Sequence, residues 1–279
     1  MLLLAASLYA WSYRKGQGGF AENCPDCFTL SDLRPFMPDL DLTPPTPNYS
    51  TPPSYPAPPE VTVWQSLAPD ERLKNARDRL LPTLQQELAG LNTELGAPLF
   101  LRVFKESREM EVWLRIGDAW RLFRNHRIAA MSGNLGPKLK EGDLQAPEGF
   151  YAVRPSGLNP RSSYHLSFDI GYPNDLDRYH QRTGSFIMVH GNEKSLGCFA
   201  MTDRVIEEIY LLVEAALTAG QPDVPVHVFP FRMTQQRLAS SSLHPSYHHW
   251  QGLYEGYHHF EQKREVPKID TQDGNYVVK

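Results

Sequence analysis

The amino-acid sequence predicts a mostly β domain of the α+β class, with a few helices packed on it. Several short segments between Leu99 and Phe229 alternate apolar and polar side chains with the period of two that is typical of strands. Only a few longer segments space their apolar residues by three and four, as amphipathic helices do. The 279 residues are 41% hydrophobic, which is enough to bury a sizeable core.

The first 60 residues differ in composition from the rest of the chain. Met1 to Trp11 is an apolar run as long as a signal-peptide core, and it is too short to cross a bilayer of about 30 Å as a helix. We therefore predict an export signal or a membrane anchor in residues 1–20, the alternative being a buried N-terminal strand. Ten of the 24 prolines lie between Pro35 and Pro59, which predicts an extended, semi-rigid tether over residues 21–60.

A helical lead-in is predicted for residues 61–97. Its apolar residues recur at three- and four-residue spacing and define one face of a helix or helix pair. These residues are Leu73, Ala76, Leu80, Leu84, Leu88 and Leu91. Pro82 is expected to break or kink the helix because proline lacks an amide donor, and Gly96-Ala97-Pro98 is expected to end it.

The predicted β domain covers residues 98–232. Its strands are predicted at Leu99–Phe104, Met110–Ile116 and Trp120–Arg124, the last two joined by a tight turn at Gly117-Asp118, and over residues 149–154, 165–170, 185–190 and 224–229. One strong helix is predicted from about Thr202 to Ala219. Its buried stripe comprises Val205, Ile206, Ile209, Tyr210, Leu212, Val213, Ala216 and Leu217. A last helix around Trp250–Phe260 predicts a C-terminal helical extension over residues 233–279.

Charge and cysteine content exclude several classes of function. The 28 basic and 32 acidic side chains give a net charge of −4 and are scattered, so we expect no nucleic-acid partner. Cys24 and Cys27 have redox-motif spacing, but they lie between glycine-rich and proline-rich segments rather than at a strand–helix junction. Zinc would need two further ligands near them. A simple disulfide in an oxidising compartment, or no function, is the preferred interpretation of this pair.

A reactive thiol is predicted at Cys198. A β-rich segment ends at His190, a polar loop follows, and Gly197-Cys198 leads towards the helix that begins near Thr202. The positive end of that helix would stabilise a thiolate, as would Arg204 if its side chain turned back towards the sulfur. His190 would accept the thiol proton. The structural alternative is a buried, inert cysteine beside a histidine of the core.

Three strings in this region resemble one family of enzymes. They are Tyr164-His165-Leu-Ser-Phe-Asp-Ile-Gly-Tyr172-Pro173-Asn174, then His190-Gly191, then Ser195-Leu-Gly197-Cys198-Phe-Ala-Met201-Thr-Asp203. Together they resemble the YafK-like branch of the YkuD-type L,D-transpeptidases, cysteine enzymes that cross-link and remodel peptidoglycan. The resemblance covers roughly residues 99–232 and implies an L,D-transpeptidase-like β-sandwich.

The resemblance also implies roles for particular residues. Cys198 would be the nucleophile and His190 the general base, with the Gly191 backbone orienting the imidazole. The N–H groups of Gly197 and Cys198 would form an oxyanion hole. Substrate contacts are expected from His165, Tyr172, Asn174 and Ser195, although a structural hydrogen bond would equally explain His165.

The sequence departs from the family pattern at a few positions. Leu196 occupies the place of a second histidine found in many members, and Phe199-Ala200 occupies that of an arginine or asparagine. The spacing from His190 to Cys198 is short, as in the YafK-like branch. These departures concern the choice of acyl donor and acceptor rather than the thiol chemistry.

The implied reaction is acyl transfer without a cofactor or metal. The thiolate attacks the meso-diaminopimelate carbonyl of a peptidoglycan stem peptide and forms a thioester. An amine acceptor then gives a 3-3 cross-link, whereas water gives hydrolysis, including release of a peptidoglycan-linked lipoprotein. The expected location is the periplasm, with an N-terminal inner-membrane anchor as one form of the tether, and carbapenem-type inhibitors are expected to acylate the thiol.

Two other classes of function stay open from the sequence alone. Five C-terminal histidines could serve a metal-dependent hydrolase, but Pro245 interrupts the pair His244 and His248, and no carboxylate occupies a zinc-protease position. The other members are His249, His258 and His259. A non-catalytic peptidoglycan-binding module is the second alternative, and in such a module His190 and Cys198 would not meet.

Overall fold

The computed structural model describes residues 68–279. The predicted export signal or anchor, the proline-rich tether and the Cys24–Cys27 pair lie outside the described residues. Within this part of the chain, no helix has both the length and the apolar character needed to cross a membrane.

The lead-in forms one helix, α1, at Pro69–Gly90. Five of the six predicted apolar positions are buried, whereas Leu91 lies just beyond the helix and is exposed. A break or a kink was expected at Pro82, and the break is wrong because the helix continues through that residue. Pro82 lies on the solvent-facing side, so its ring disturbs no packing, and the buried leucines on either side hold the two halves against the core.

A five-stranded mixed sheet forms the centre of the domain. Its strands are β1 (Leu99–Phe104), β2 (Glu109–Ile116), β3 (Ala119–Arg127), β4 (Gly149–Val153) and β9 (Val224–Phe229), in the order β3-β2-β1-β9-β4. Only the β1–β9 pair is parallel. The predicted two-residue turn at Gly117-Asp118 is confirmed by the pairing of Ile116 with Ala119, and Gly117 has the positive φ of +60° that this turn needs.

A second sheet carries the residues of the predicted site. It contains β5 (Leu158–Asn159), β6 (Ser167–Asp169), β7 (Met188–His190) and β8 (Phe199–Ala200), in that order, after a 3₁₀ turn at Pro155–Gly157. Strands β6 and β7 are shorter than predicted, and β5 and β8 were not predicted. The pair β7–β8 is parallel, and the others are antiparallel.

The main core lies between these sheets and two helices. Helix α3 (Asp203–Thr218) packs against strands of both sheets, and α1 packs on α3. The predicted stripe of α3 is buried, apart from Val205, which is partly exposed. Along β1, Leu99, Leu101 and Val103 face this core, whereas Phe100 and Phe104 belong to aromatic clusters on the other side. Burial on both faces explains why all six residues of β1 are buried.

The C-terminal segment covers the second face of the five-stranded sheet. Helix α5 (Tyr247–Lys263) buries Trp250, Leu253, Tyr257 and Phe260, and two short helices, α2 (Asp175–Tyr179) and α4 (Gln235–Ala239), add to this layer. The extension is not purely helical, because β10 (Ile269–Gln272) and β11 (Asn275–Val278) form a hairpin at its end. This hairpin was not predicted, although the Asp273-Gly274 pair between its strands is typical of a two-residue hairpin turn.

One buried ion pair joins the central sheet to the loop that follows β3. Lys105 follows β1, and its Nζ donates to Glu148 Oε1 at 3.0 Å and to the carbonyls of Gly136 and Ala146 at 2.9 Å each. Glu148 in turn accepts from the Gly136 N–H and from Trp250 Nε1, both at 2.7 Å. Burial lowers the pKa of Lys105, and the Glu148 carboxylate opposes that shift. Each of the three N–H donors of the Lys105 ammonium group has an acceptor in this set of contacts.

Replacing Lys105 with Met should strongly destabilise the protein, because it leaves the Glu148 carboxylate buried without its counter-ion. We expect a loss of about 3–5 kcal/mol in the free energy of unfolding, seen in thermal denaturation as a fall in Tm of roughly 6–20 °C. The matched control is Lys74→Met, whose partner Asp78 lies on an exposed surface of α1. This variant should change the stability by less than about 1 kcal/mol. Equal effects of the two substitutions would contradict the assignment.

Candidate active site

The pairing of β7 with β8 places His190 beside the strand that directly follows Cys198. His190 is in register with Ala200, and Cys198 lies two residues before Ala200. The loop between them, residues 191–198, returns the chain to the same sheet, as the sequence pattern required. Parallel pairing across such a short connection is unusual, since most parallel strands are joined by a long crossover.

The thiol of Cys198 is partly buried and has backbone partners on both sides. It accepts from the Met188 N–H at 3.4 Å and donates to the Phe186 carbonyl at 3.7 Å. Burial raises the pKa of the thiol above its ordinary value, and the negative charge of Asp169 adds to that effect. The Met188 N–H and the positive charge of Lys138 act in the opposite direction. The thiol is therefore protonated at neutral pH.

Cys198 is followed by a short strand before the helix that was expected to stabilise its thiolate. The strand β8 separates Cys198 from α3, whose N-cap is Thr202. The side chain of Asp203 in the first turn accepts from the Asn192 N–H at 2.7 Å, so this carboxylate fixes the loop. The charged side chains that act on the pKa of the thiol are Asp169 and Lys138 rather than the predicted Arg204.

The imidazole of His190 is buried and held in one orientation. Its Nδ1 lies 2.6 Å from the Gly191 carbonyl oxygen. Because a carbonyl only accepts, Nδ1 must carry the proton, which leaves Nε2 of the neutral ring as an acceptor. The ring of Tyr164 packs against it with centroids 4.8 Å apart. Burial is the main reason why the pKa of His190 is lowered, so the ring is neutral at neutral pH.

Gly191 is sterically required beside this histidine. A Cβ atom at this position would lie 2.5 Å from Asp203 Oδ1 and 2.8 Å from the Tyr164 carbonyl oxygen. The Gly191 N–H meanwhile donates to the carbonyls of Tyr164 and Leu166. The backbone at Gly191 thus connects the imidazole to the residues that directly precede β6. No larger residue fits at this position unless its neighbours move.

Gly197 and Ser195 shape the loop in front of the thiol. Gly197 has a φ of +93°, and its N–H donates to Ser132 Oγ at 2.7 Å. That N–H is therefore already hydrogen-bonded in this conformation. It is not free to bind an oxyanion, which is the role that the family resemblance implied for it. Ser195 Oγ donates to the Cys198 carbonyl at 2.6 Å, so the hydroxyl predicted to bind substrate supports the backbone at Cys198.

The other predicted substrate contacts also have partners within the protein. His165 Nε2 lies 2.8 Å from Glu207 Oε1 in a buried pair. The Tyr172 hydroxyl lies 3.3 Å from the carbonyls of Lys138 and Thr183, and the side chain is buried. Asn174 caps α2 and donates from Nδ2 to the Phe150 carbonyl and the Tyr276 hydroxyl. Each of these three side chains therefore has at least one polar partner within the protein.

Several residues near the thiol were missed by sequence reasoning. Ser132 and Lys138 come from the loop after β3, which has no hydrophobic period to place it. Tyr164 and Asp169 lie within the quoted family string, which was the only signal that could have found them. Phe186 and Leu196 flank the thiol in sequence and are highly exposed, at 73% and 75% of their surface.

The C-terminal histidines do not form a metal site. Among residues 68–279, no group of three or more His, Cys, Asp or Glu side chains is placed to hold an ion. His244 stacks on Trp250 with ring centroids 4.2 Å apart, and His258 stacks on Tyr254 at 5.3 Å. His249 Nε2 lies 3.2 Å from the Glu148 carbonyl oxygen. These contacts are those of packed aromatic side chains.

Solved structures that align with this chain come from two bacteria. The helical cell shape determining protein Pgp2 of Campylobacter jejuni aligns over 67% of this chain and 79% of its own, with a TM-score of 0.40 and 18% identity. Bd1075 of Bdellovibrio bacteriovorus aligns over 48% of each chain, with a TM-score of 0.34 and 22% identity. No family model matches the sequence.

A closer similarity is found to proteins of Escherichia coli. The protein named "Putative L,D-transpeptidase YafK" of strain K12 is 40% identical to this chain over 184 residues, which are 66% of this chain and 75% of the relative. The protein of the same name from strain O157:H7 matches equally. At this identity and coverage, the chain belongs to the YafK family of L,D-transpeptidases.

Proposed function

We propose that the protein is a cysteine acyltransferase that acts on peptidoglycan stem peptides, with Cys198 as nucleophile and His190 as general base. The observation that carries this proposal is the orientation of His190. Its Nδ1 donates a proton to the Gly191 carbonyl, so that Nε2 is the basic atom, and the strand of His190 pairs with β8, which directly follows Cys198.

The electrostatics favour a neutral resting pair over a preformed ion pair. Burial raises the pKa of the thiol and lowers that of the imidazole, so the proton stays on sulfur in the free protein. In the reaction, Nε2 takes the Sγ proton as sulfur attacks the substrate carbonyl. The imidazolium then gives this proton to the departing amine, and a thioester remains. An amine or water then attacks the thioester carbonyl and gives a proton to the same Nε2. The C–S bond breaks, and the imidazolium returns this proton to the sulfur.

The substrate follows from the family rather than from the geometry. We propose that the acyl group is the meso-diaminopimelate carbonyl of a stem peptide, and that water is the preferred acceptor, which would release a peptidoglycan-linked lipoprotein. The alternative acceptor is a second diaminopimelate amine, which would give a 3-3 cross-link. The proposed place of action is the periplasm, after export or anchoring by the N-terminal segment.

Acylation by a carbapenem tests the nucleophile. Intact-mass spectrometry of the full chain after incubation with a carbapenem should show one adduct, because a strained lactam carbonyl captures an activated thiol. The Cys198→Ala variant should show none. The matched control is Cys24→Ala/Cys27→Ala, which should acquire the adduct as fully as the natural chain. An adduct on Cys198→Ala would overturn the assignment.

The pH dependence of thiol alkylation tests the electrostatics. In the Cys24→Ala/Cys27→Ala background, the rate of iodoacetamide alkylation should rise with a midpoint above that of an ordinary cysteine, because burial raises the pKa of Cys198. Asp169→Asn should lower this midpoint because a negative charge is lost, and Lys138→Met should raise it because a positive charge is lost. Shifts in the opposite directions would contradict the described site.

Digestion of isolated sacculi separates the two acceptors. Cross-linked sacculi carrying bound lipoprotein are incubated with the protein or with Cys198→Ala, and the muropeptides are counted by chromatography. We expect released lipoprotein and no gain in 3-3 dimers with the active protein only. A rise in dimers would show that an amine outcompetes water for the thioester, and unchanged sacculi would refute the substrate.

A further inference from the structure

Asp169 shares one face of the second sheet with His190. Phe168, Val189 and Phe199 are in register across β6, β7 and β8, and all three are buried in the main core. Successive side chains of a strand point to opposite faces of the sheet. Asp169 and His190 directly follow Phe168 and Val189, so both lie on the face turned away from the core.

Asp169 also lies close to the thiol. It is in register with Met188, whose N–H donates to Cys198 Sγ at 3.4 Å. Residues directly opposite each other on antiparallel strands have Cβ atoms about 4.5–5.5 Å apart. The negative charge of Asp169 is one of the causes of the raised pKa of the thiol, which agrees with a short separation. A substrate that reaches Cys198 therefore passes close to this carboxylate.

The Asp169 carboxylate has one oxygen available to a ligand. Oδ1 accepts from the Gly171 N–H at 2.9 Å. Oδ2 has no hydrogen-bond or ionic partner within residues 68–279, and it is not fully buried, since the side chain is partly exposed. Burial raises the pKa of Asp169, and the Gly171 N–H opposes this shift without help from a cationic side chain of the described residues. A half-buried carboxylate without a counter-ion is unfavourable.

Lys138 is not available to neutralise this carboxylate. Its positive charge acts on the thiol of Cys198, but its Nζ already donates to the Asp143 carboxylate and to the Lys140 carbonyl. The negative charge beside the thiol thus has no counter-ion among the residues that the structure describes. A positively charged group of a ligand would complement it.

We propose that Asp169 binds the free ammonium group of the acyl donor. The inference rests on the proposed function, in which the donor is a stem peptide. Its meso-diaminopimelate carries a free amine, which a short aliphatic chain separates from the carbonyl that the thiol attacks. The exposed ring of Phe186, whose carbonyl accepts from the thiol, would pack against that chain. A donor whose free amine is blocked would be selected against.

The bound ammonium group would also promote ionisation of the nucleophile. In the free protein, the negative charge of Asp169 opposes formation of the Cys198 thiolate. An ammonium group on Asp169 cancels that charge, so the thiolate becomes less costly once the donor is in place. Asp169 would thus oppose reaction of the thiol with other electrophiles and favour its reaction with a cationic donor.

The test compares two peptides on the full-chain Cys198→Ala variant, which cannot form a thioester. The first is L-alanyl-γ-D-glutamyl-meso-diaminopimelate with its reacting carboxyl closed as a methylamide, and the second has the free diaminopimelate amine acetylated. Calorimetry should show about tenfold tighter binding of the free-amine peptide, the effect of one charged hydrogen bond. The side-chain carboxyl ¹³C resonance of Asp169 should shift with this peptide alone.

The matched variants are Asp169→Asn and Asp118→Asn, each combined with Cys198→Ala. Asparagine keeps the Oδ1 acceptor for the Gly171 N–H and removes only the charge, so the two peptides should bind equally to the Asp169→Asn variant. Asp118 is an exposed carboxylate in the β2–β3 turn, and its variant should keep the preference.

Equal binding of the two peptides to Cys198→Ala, or an unchanged preference in the Asp169→Asn variant, would overturn the proposal. If that variant fails to fold, an Asp169 resonance that does not respond to the free-amine peptide would overturn it instead. Absence of binding by either peptide would also do so. A carbapenem adduct on the natural chain in that case would show that the nucleophile stands and that the assignment of Asp169 alone has failed.

Discussion

The Lys105–Glu148 ion pair is the interaction on which the surroundings of the thiol depend. It joins the end of β1, the loop after β3 and Trp250 of α5 through hydrogen bonds whose donors and acceptors are buried. The same loop supplies Ser132 to the Gly197 N–H and Lys138 to the electrostatic field at Cys198. Within the loop, the Lys138–Asp143 ion pair and the hydrogen bonds of Gln145 add to this anchoring. The Lys105–Glu148 pair therefore helps to position one side of the candidate site from a distance.

Buried charge pairs also connect helix α3 to α1 and to β3. Helix α3 carries Glu207 and Glu208, both buried, and they pair with Arg79 of α1 and Arg124 of β3 respectively. Glu207 also contacts His165, whose Cβ lies next to Gly191. Through Glu207, the helical lead-in is therefore connected to His165, which lies beside Gly191, the residue after His190. Such directional pairs fix the position of α3 more sharply than apolar packing alone would.

Most helices and strands could be predicted from the sequence, whereas the protonation of Cys198 could not. Alternation in residues 99–104 and the leucine spacing of α1 are local patterns, so the corresponding strand and helix could be predicted. The protonation of Cys198 depends on burial and on Asp169 and Lys138, which are distant in the chain, and no local pattern reports such contacts. The family string identified His165, Tyr172 and Asn174, but only the fold shows that each already has a partner within the protein.

The bond between Ser132 and Gly197 has a consequence for the timing of catalysis. If the Gly197 N–H stabilises an oxyanion, it must first leave the Ser132 hydroxyl. A neutral carbonyl offers this N–H no better acceptor than a hydroxyl does, whereas an oxyanion forms a bond about twice as strong. The exchange would then be favourable only once charge has developed on the substrate. Ser132 would act as a ground-state competitor that selects for the transition state over the bound substrate.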